Sequence, residues 1–405
     1  MQLTSMRILQ ICHKPPRPSK DGGCRAIDAM TRGLLASGNH QIKVMTVATD
    51  KHPFEPDKIA TDYLEATQIE AIHLDTSLRR LDALSDLVTG DSYNISRFYS
   101  IDFDRILIEV LRKSVFDLVI FESLFTAPYL RTVRKYCDGI ALLRAHNIEH
   151  RIWQHLAKET KPLTKRIYLN WLADKLQEYE INAMHDFDCI AAISEDDKKN
   201  FEALGCSVPI QVVPFGLDIL ELPPASQGPV SHVFHLGAMD WRPNIQGLKW
   251  FTSQIWPLVI QSIPNARLCL AGRNFQKDAS WLDVPNVKVK GEVENAWDMM
   301  TSDGIMIIPL LSGSGMRIKA IEAMAGGRPI VSTSIGMEGI QGINREHFHI
   351  ADSPETFASC IVELLTNPRE AEALGKRSRQ LVIDQFENQS LVTKMIHELQ
   401  ESQKF

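Results

Sequence analysis

Residues 305–334, IMIIPLLSGSGMRIKAIEAMAGGRPIVSTS, constrain the fold more than any other part of the chain. They spell a strand, a glycine turn, a helix and a second strand without interruption. The run IMIIPLL is apolar throughout and short, as in a buried parallel strand. Ser312, Gly313, Ser314 and Gly315 form the turn expected to open the helix. The helix stops at Gly326 and Gly327, Pro329 follows, and IVST makes the next strand. Such a unit belongs to a doubly wound α/β sheet. At the helix start, free backbone N–H groups and the helix dipole favour an anion. Arg317 and Lys319 add full positive charge, and Glu322 shares the face of Lys319. This set suits a nucleoside diphosphate. An ordinary glycine turn with a solvated Lys319–Glu322 pair is the alternative from these residues alone.

The same alternation runs along the chain. Strands are expected at 7–12, 41–47, 71–74, 118–121, 141–144, 190–193 and 211–213, with helical patterns at 25–37 and 105–114. Residues 214–230 have the Pro and Ser content of a linker. A second set of strands is expected at 232–236, 266–271, 287–290, 304–308 and 330–333, and after 367 the pattern is helical. A chain of 405 residues exceeds one ordinary core and divides into two domains of roughly 200 residues. Two Rossmann-like halves would leave a cleft at their strand C-terminal ends. A net charge of −6 gives no electrostatic reason to expect nucleic acid as a partner. Seven cysteines without a Cys-x-x-Cys pair read as reduced thiols, and with no long apolar run a cytoplasmic location is expected.

The 313–329 segment resembles the donor-binding core of the retaining, GT-B-fold glycosyltransferases of group 1, family 4, in the branch with the motif G-S-G-x-R-x-K-x-x-E-A-x-A-x-G-x-P. The more familiar version carries Glu eight residues before Glu322, where this chain has Ser314. The resemblance implies two Rossmann-like, doubly wound parallel-sheet domains facing a cleft. They would be an acceptor-side domain over 1–222 and a donor-side domain over 223–385, with a C-terminal helix over 386–405 crossing back to the first. It implies a nucleoside-diphosphate sugar as co-substrate, no further cofactor, a glycan or lipid-linked acceptor, retention at the anomeric carbon, and no metal.

On the same resemblance, Gly22 and Gly23 in SKDGGCR match the glycine-rich loop that approaches donor and acceptor, and His146 in RAHNIEH matches a histidine that reaches the donor sugar. Glu149 is a weaker candidate. Many relatives place Arg directly after the glycine matching Gly237 and Lys five residues later, where this chain has Ala238 and Pro243. Arg317 and Lys319 are the expected replacements, with Arg242 and Arg273 as helpers. Ser314, Gly315, Met316 and Glu322 complete the donor set, Glu322 on the ribose. Catalysis is assigned to Arg317, Lys319 and His146.

Some features have plainer readings. Ser194, before three acids, reads as a helix N-cap. Asp102 with Asp104, and Asp186 with Asp188, have metal-like spacing but read as helix starts. The basic, aromatic segment 150–171 suits either a solvated interdomain face or a peripheral contact with the inner face of an anionic membrane. Two rivals to a hexosyltransferase-type enzyme remain: a sugar-nucleotide epimerase, and a non-catalytic sugar-nucleotide-binding subunit suggested by Ser314.

Overall fold

The computed structural model describes residues 4–75, 95, 98–225, 229–275, 280–313 and 315–402. They form two compact units, Met1–Leu217 with Asn388–Phe405, and Asp218–Glu387.

The first unit is built on seven parallel strands: β1 (Arg7–Cys12), β2 (Gln41–Ala48), β3 (Glu70–His73), β4 (Leu118–Glu122), β5 (Ile140–Ala145), β6 (Cys189–Ala192) and β7 (Ile210–Val212). Their spatial order is β3-β2-β1-β4-β5-β6-β7. Strand residues alternate between two apolar layers, as a period of two requires. Leu9, Ile11, Val119 and Phe121 face one layer. Ile8, Cys12, Leu118 and Ile120 face the other, which is covered by Ile27, Met30 and Leu34 of the Gly22–Ala36 helix and by Val392, Met395, Ile396 and Leu399 of the Asn388–Ser402 helix. The last four recur at helical spacing, so the chain's final helix completes the core of the first unit. Each such side chain contributes roughly 1.5–3 kcal/mol by burial.

The second unit has six parallel strands: β8 (His232–Leu236), β9 (Leu268–Ala271), β10 (Val287–Gly291), β11 (Gly304–Ile308), β12 (Ile330–Ser332) and β13 (His349–Ile350), in the order β10-β9-β8-β11-β12-β13. Winding reverses between β1 and β4 in one sheet and between β8 and β11 in the other. Open parallel sheets bind ligands at the strand ends beside such reversals.

Several expectations change. Gly22 and Gly23 are the first residues of a helix, not a loop before one, because the Asp21 carboxylate caps it by accepting from the Cys24 N–H at 2.9 Å. The helix after β11 begins at Ile318, with Arg317 as its extended cap residue, later than the 312–315 turn suggests. Asp102 and Asp104 do lie in the first turn of the Ile101–Lys113 helix. Asp186 and Asp188 do not start a helix. They connect the Leu163–Met184 helix to β6, and Asp188 accepts from the Ala141 N–H at 2.7 Å and pairs with Arg134 at 2.8 Å. Ser194 caps the Glu195–Ala203 helix as expected. The 150–171 segment spans two helices, Glu149–Glu159 and Leu163–Met184.

Candidate functional site

In the second unit, β8 and β11 are neighbours, so the loops leaving them, 237–241 and 309–317, emerge side by side. The β11 loop carries Arg317 and leads into the helix that carries Lys319; the β8 loop carries Trp241 and leads into the helix that carries Asn244. Arg317 is buried, and its guanidinium lies over the Trp241 ring, 5.3 Å from the centroid. Gly313, at φ +121°, makes room for that stack: a Cβ there would lie 2.8 Å from Arg317 Nη2 and 3.4 Å from the Trp241 ring. Lys319 Nζ donates to Asn244 Oδ1 at 2.9 Å, and Asn244 Nδ2 donates onward to the Ala238 carbonyl at 2.8 Å. Gly237 is held close by the same groups, since a Cβ would meet Asn244 Nδ2 at 2.7 Å and His235 Nε2 at 2.8 Å.

The electrostatics follow from this packing. Burial, reinforced by the Arg317 charge, lowers the Lys319 ammonium to about 7. Burial likewise lowers Arg317 to about 10, against a smaller opposing pull from Glu338. His235 is fully buried, with Nδ1 3.0 Å from the Ile307 carbonyl; burial and then Lys319 push it well below the usual histidine range, so it is neutral. Two basic groups thus sit together, Arg317 buried and Lys319 half-buried, the lysine hydrogen-bonded to a neutral amide. Glu322 is buried too, which removes the reading of Lys319 and Glu322 as a solvated surface pair. Gly315, at φ +80°, and Met316 lie between the turn and the cap, and Ser314 lies outside the described residues. Arg242 is exposed at the start of the Arg242–Trp250 helix. Arg273 is half-buried and faces Asp240 at 3.6 Å.

In the first unit, His146 follows β5 and its Nε2 lies 2.6 Å from Glu122 Oε2, at the end of β4. Glu122 is fully buried. It also pairs with Arg144 at 3.1 Å and accepts from Gln10 Nε2 at 2.7 Å. Burial opposes its ionisation, but Arg144 and the His146 hydrogen bond outweigh burial and hold the carboxyl below its usual value. Burial lowers His146 in spite of Glu122. His13, after β1, packs edge-on to His146 with ring centroids 5.8 Å apart.

Gly22 and Gly23 stand beside a second polar cluster. Lys14 Nζ is 2.9 and 3.0 Å from the two Asp21 oxygens, and His52 Nε2 is 2.8 Å from Oδ2. Burial raises Asp21, but His52 and Lys14 outweigh it and hold the carboxyl well below the usual range. Asp21, Cys24 and His52 offer ligand atoms within 4.8 Å of one another, yet the Lys14 ammonium already matches the carboxylate's charge.

Sequence reasoning missed Trp241, Asn244, Glu122 and Arg144. The available signals were Asn two residues after Arg242 at a helix start, and a carboxylate closing the apolar strand LVIFE. Glu149 is placed by its backbone: its N–H and that of His150 donate to Glu180 at 3.0 and 3.3 Å, and His150 Nδ1 lies 2.6 Å from Glu180.

Residues 231–367 match the model of the family described as glycosyl transferases group 1. Over 407 residues the chain is 24% identical to an uncharacterized 44.6 kDa protein in the cps region of Klebsiella pneumoniae, covering 97% of this chain and 99% of that one. Among solved structures it is similar to sucrose-phosphate synthase from Thermosynechococcus elongatus, with a TM-score of 0.72, 15% identity and 98% of each chain covered. It is also similar to Anabaena HepE in complex with UDP-glucose, with a TM-score of 0.63, 12% identity, and 98% of this chain and 100% of that one covered. The second unit thus carries a group 1 glycosyltransferase sequence match, in a chain whose two parallel-sheet domains have the GT-B fold.

Proposed function

We propose that the protein transfers a sugar, of hexose type, from a nucleoside-diphosphate sugar to a hydroxyl of a glycan or lipid-linked saccharide, with retention and without a metal ion. The observation that carries this reading is the pairing of buried Arg317 with half-buried Lys319. Burial lowers the proton affinity of both groups, and the Arg317 charge lowers that of Lys319 further, a cost that a bound diphosphate removes. The match of 231–367 to group 1 glycosyltransferases supports the reaction class, and neighbours of the same fold hold UDP, UDP and glucose, or UDP-glucose.

In the proposed reaction the bond between the anomeric carbon and the diphosphate oxygen breaks as the acceptor oxygen approaches from the same face. The departing phosphate oxygen takes the acceptor's proton. Arg317, Lys319 and the Gly315 N–H stabilise the charge gathering on the diphosphate, and Glu322 accepts from the ribose hydroxyls. His146, oriented by Glu122, is assigned to the donor sugar on the family resemblance, as are Gly22 and Gly23 to the loop that approaches it. Gly237, Arg242, Arg273, Ser314 and Met316 are assigned to donor binding on the same ground.

A thermal-shift screen of nucleoside diphosphates and their sugars, followed by a product assay on the one that binds, tests this reading. At 100 times its dissociation constant a ligand adds about 2.7 kcal/mol of stability. Sugar appearing on an acceptor supports transfer. A sugar nucleotide epimerised without acceptor, or bound without turnover, would replace it with one of the two rivals.

A further inference from the structure

The Glu149–Glu159 and Leu163–Met184 helices form a hairpin whose inner side is packed and whose turn is not. Ala157, Leu169 and Leu172 are buried between the helices, with Trp153 and Trp171 packed against them. Nearer the turn the apolar side chains point outward. Ile152 and Leu156, four residues apart, are exposed, as are Leu163 and Ile167 at the same spacing and Tyr168 beside them. Leu163 and Ile167 are 59% and 60% exposed, values that a solvated helix usually reserves for polar residues. Among the described residues, five of the twelve exposed large apolar side chains fall within these 17 positions, so the exposure is concentrated rather than scattered.

The charge around them is equally one-sided. Arg151, Lys158, Lys161, Lys165 and Arg166 stand against Glu159 alone between residues 151 and 171, in a chain whose net charge is −6. Lys158, Lys161, Lys165 and Arg166 are all exposed. Aliphatic side chains ringed by long cationic ones, with a tyrosine among them, match the layered chemistry of a bilayer surface. The apolar groups enter the acyl boundary, the lysine and arginine stems extend along it, and their heads remain with the lipid phosphates.

We propose that this turn, residues 152–168, docks the protein on an anionic lipid bilayer. No helix among the described residues is long and apolar enough to cross a membrane, so the contact is one of lying on the surface. It uses two signals together, apolar insertion and cationic attraction, and both are needed because either alone binds only marginally.

Flotation with vesicles tests the proposal on the full chain. Phosphatidylcholine vesicles are compared with vesicles containing phosphatidylglycerol as well, at low and high salt. The variants are the double substitutions Lys161→Glu with Lys165→Glu, and Leu163→Asn with Ile167→Asn; all four positions are exposed, and unchanged melting temperatures confirm the fold. Wild-type protein should partition onto the anionic vesicles about tenfold or more above phosphatidylcholine alone, and lose that preference in high salt. Each double variant should lose about tenfold or more in partitioning, with nucleotide binding unchanged. Failure of the wild type to float with anionic vesicles overturns the proposal, as does equal flotation of both variants. A wild-type dimer in light scattering that Leu163→Asn with Ile167→Asn converts to monomer also overturns it, giving the surface to a second copy of the chain.

Discussion

Lys319 is the residue whose environment makes the sharpest quantitative prediction. Burial and Arg317 hold its ammonium near 7. A diphosphate beside it reverses the balance and restores the charged form. Binding should therefore take up a proton: about 0.5 per nucleotide at pH 7 and about 0.9 at pH 8, the fractions neutral beforehand. The ligand does not obscure this, because phosphate groups of this kind have a last ionisation near 6. Affinity should fall about 50-fold between pH 7 and pH 9, or ~2.3 kcal/mol, provided the bound amine stays charged across that range. Titration calorimetry in two buffers of different ionisation enthalpy reads the proton count directly. Lys319→Met, similar in length but without a titrating group, should bind more weakly with almost no uptake. The sign for the protein alone is the opposite of a stabilising pair. The folded value lies below the ordinary 10.5, so the unfolded chain binds more protons between about 7 and about 10.5, and this group makes stability rise with pH across that window. Zero uptake at pH 8 by wild-type protein that binds nucleotide, or equal uptake by Lys319→Met, would refute the reasoning.

Three further outcomes follow from the geometry. Glu322→Gln should weaken binding of the bare nucleoside diphosphate by roughly 1–2 kcal/mol, through loss of charge-assisted bonds to ribose; unchanged affinity by calorimetry would remove that role. Glu180→Ala should destabilise the first unit by about 3 kcal/mol, because it strands the Glu149 and His150 N–H groups and the His150 ring, and urea unfolding checks this. Turnover should survive EDTA nearly unchanged, since Arg317, Lys319 and the adjoining helix start supply the positive charge; loss with chelator and rescue by Mg²⁺ or Mn²⁺ would shift leaving-group stabilisation to a metal.

Strands such as β4 and β11 are legible because each is a nearly continuous apolar run between turn residues, the mark of a strand buried on both faces. β13 escapes for the opposite reason: His349–Ile350 is too short to show any period. The helix start at Gly22 is hidden by the poor helix propensity of paired glycines, which the Asp21 cap overrides. Asp186 and Asp188 share their spacing with true helix starts, but spacing does not say whether a helix follows or has just ended. In the candidate site, the cations are visible in the sequence and their supports are not. Asn244 meets Lys319 across 75 residues, and Glu122 meets His146 across 24, contacts made only by the pairing of β8 with β11 and of β4 with β5.

The central claim, that Arg317 and Lys319 stabilise a departing nucleoside diphosphate, is tested most directly by turnover. With the nucleotide sugar found by screening and an acceptor in hand, release of nucleoside diphosphate is followed for wild-type protein and for Arg317→Ala and Lys319→Ala. Each substitution should lower kcat by about 10²–10³ while the protein remains folded. Wild-type kcat in both variants would contradict the account.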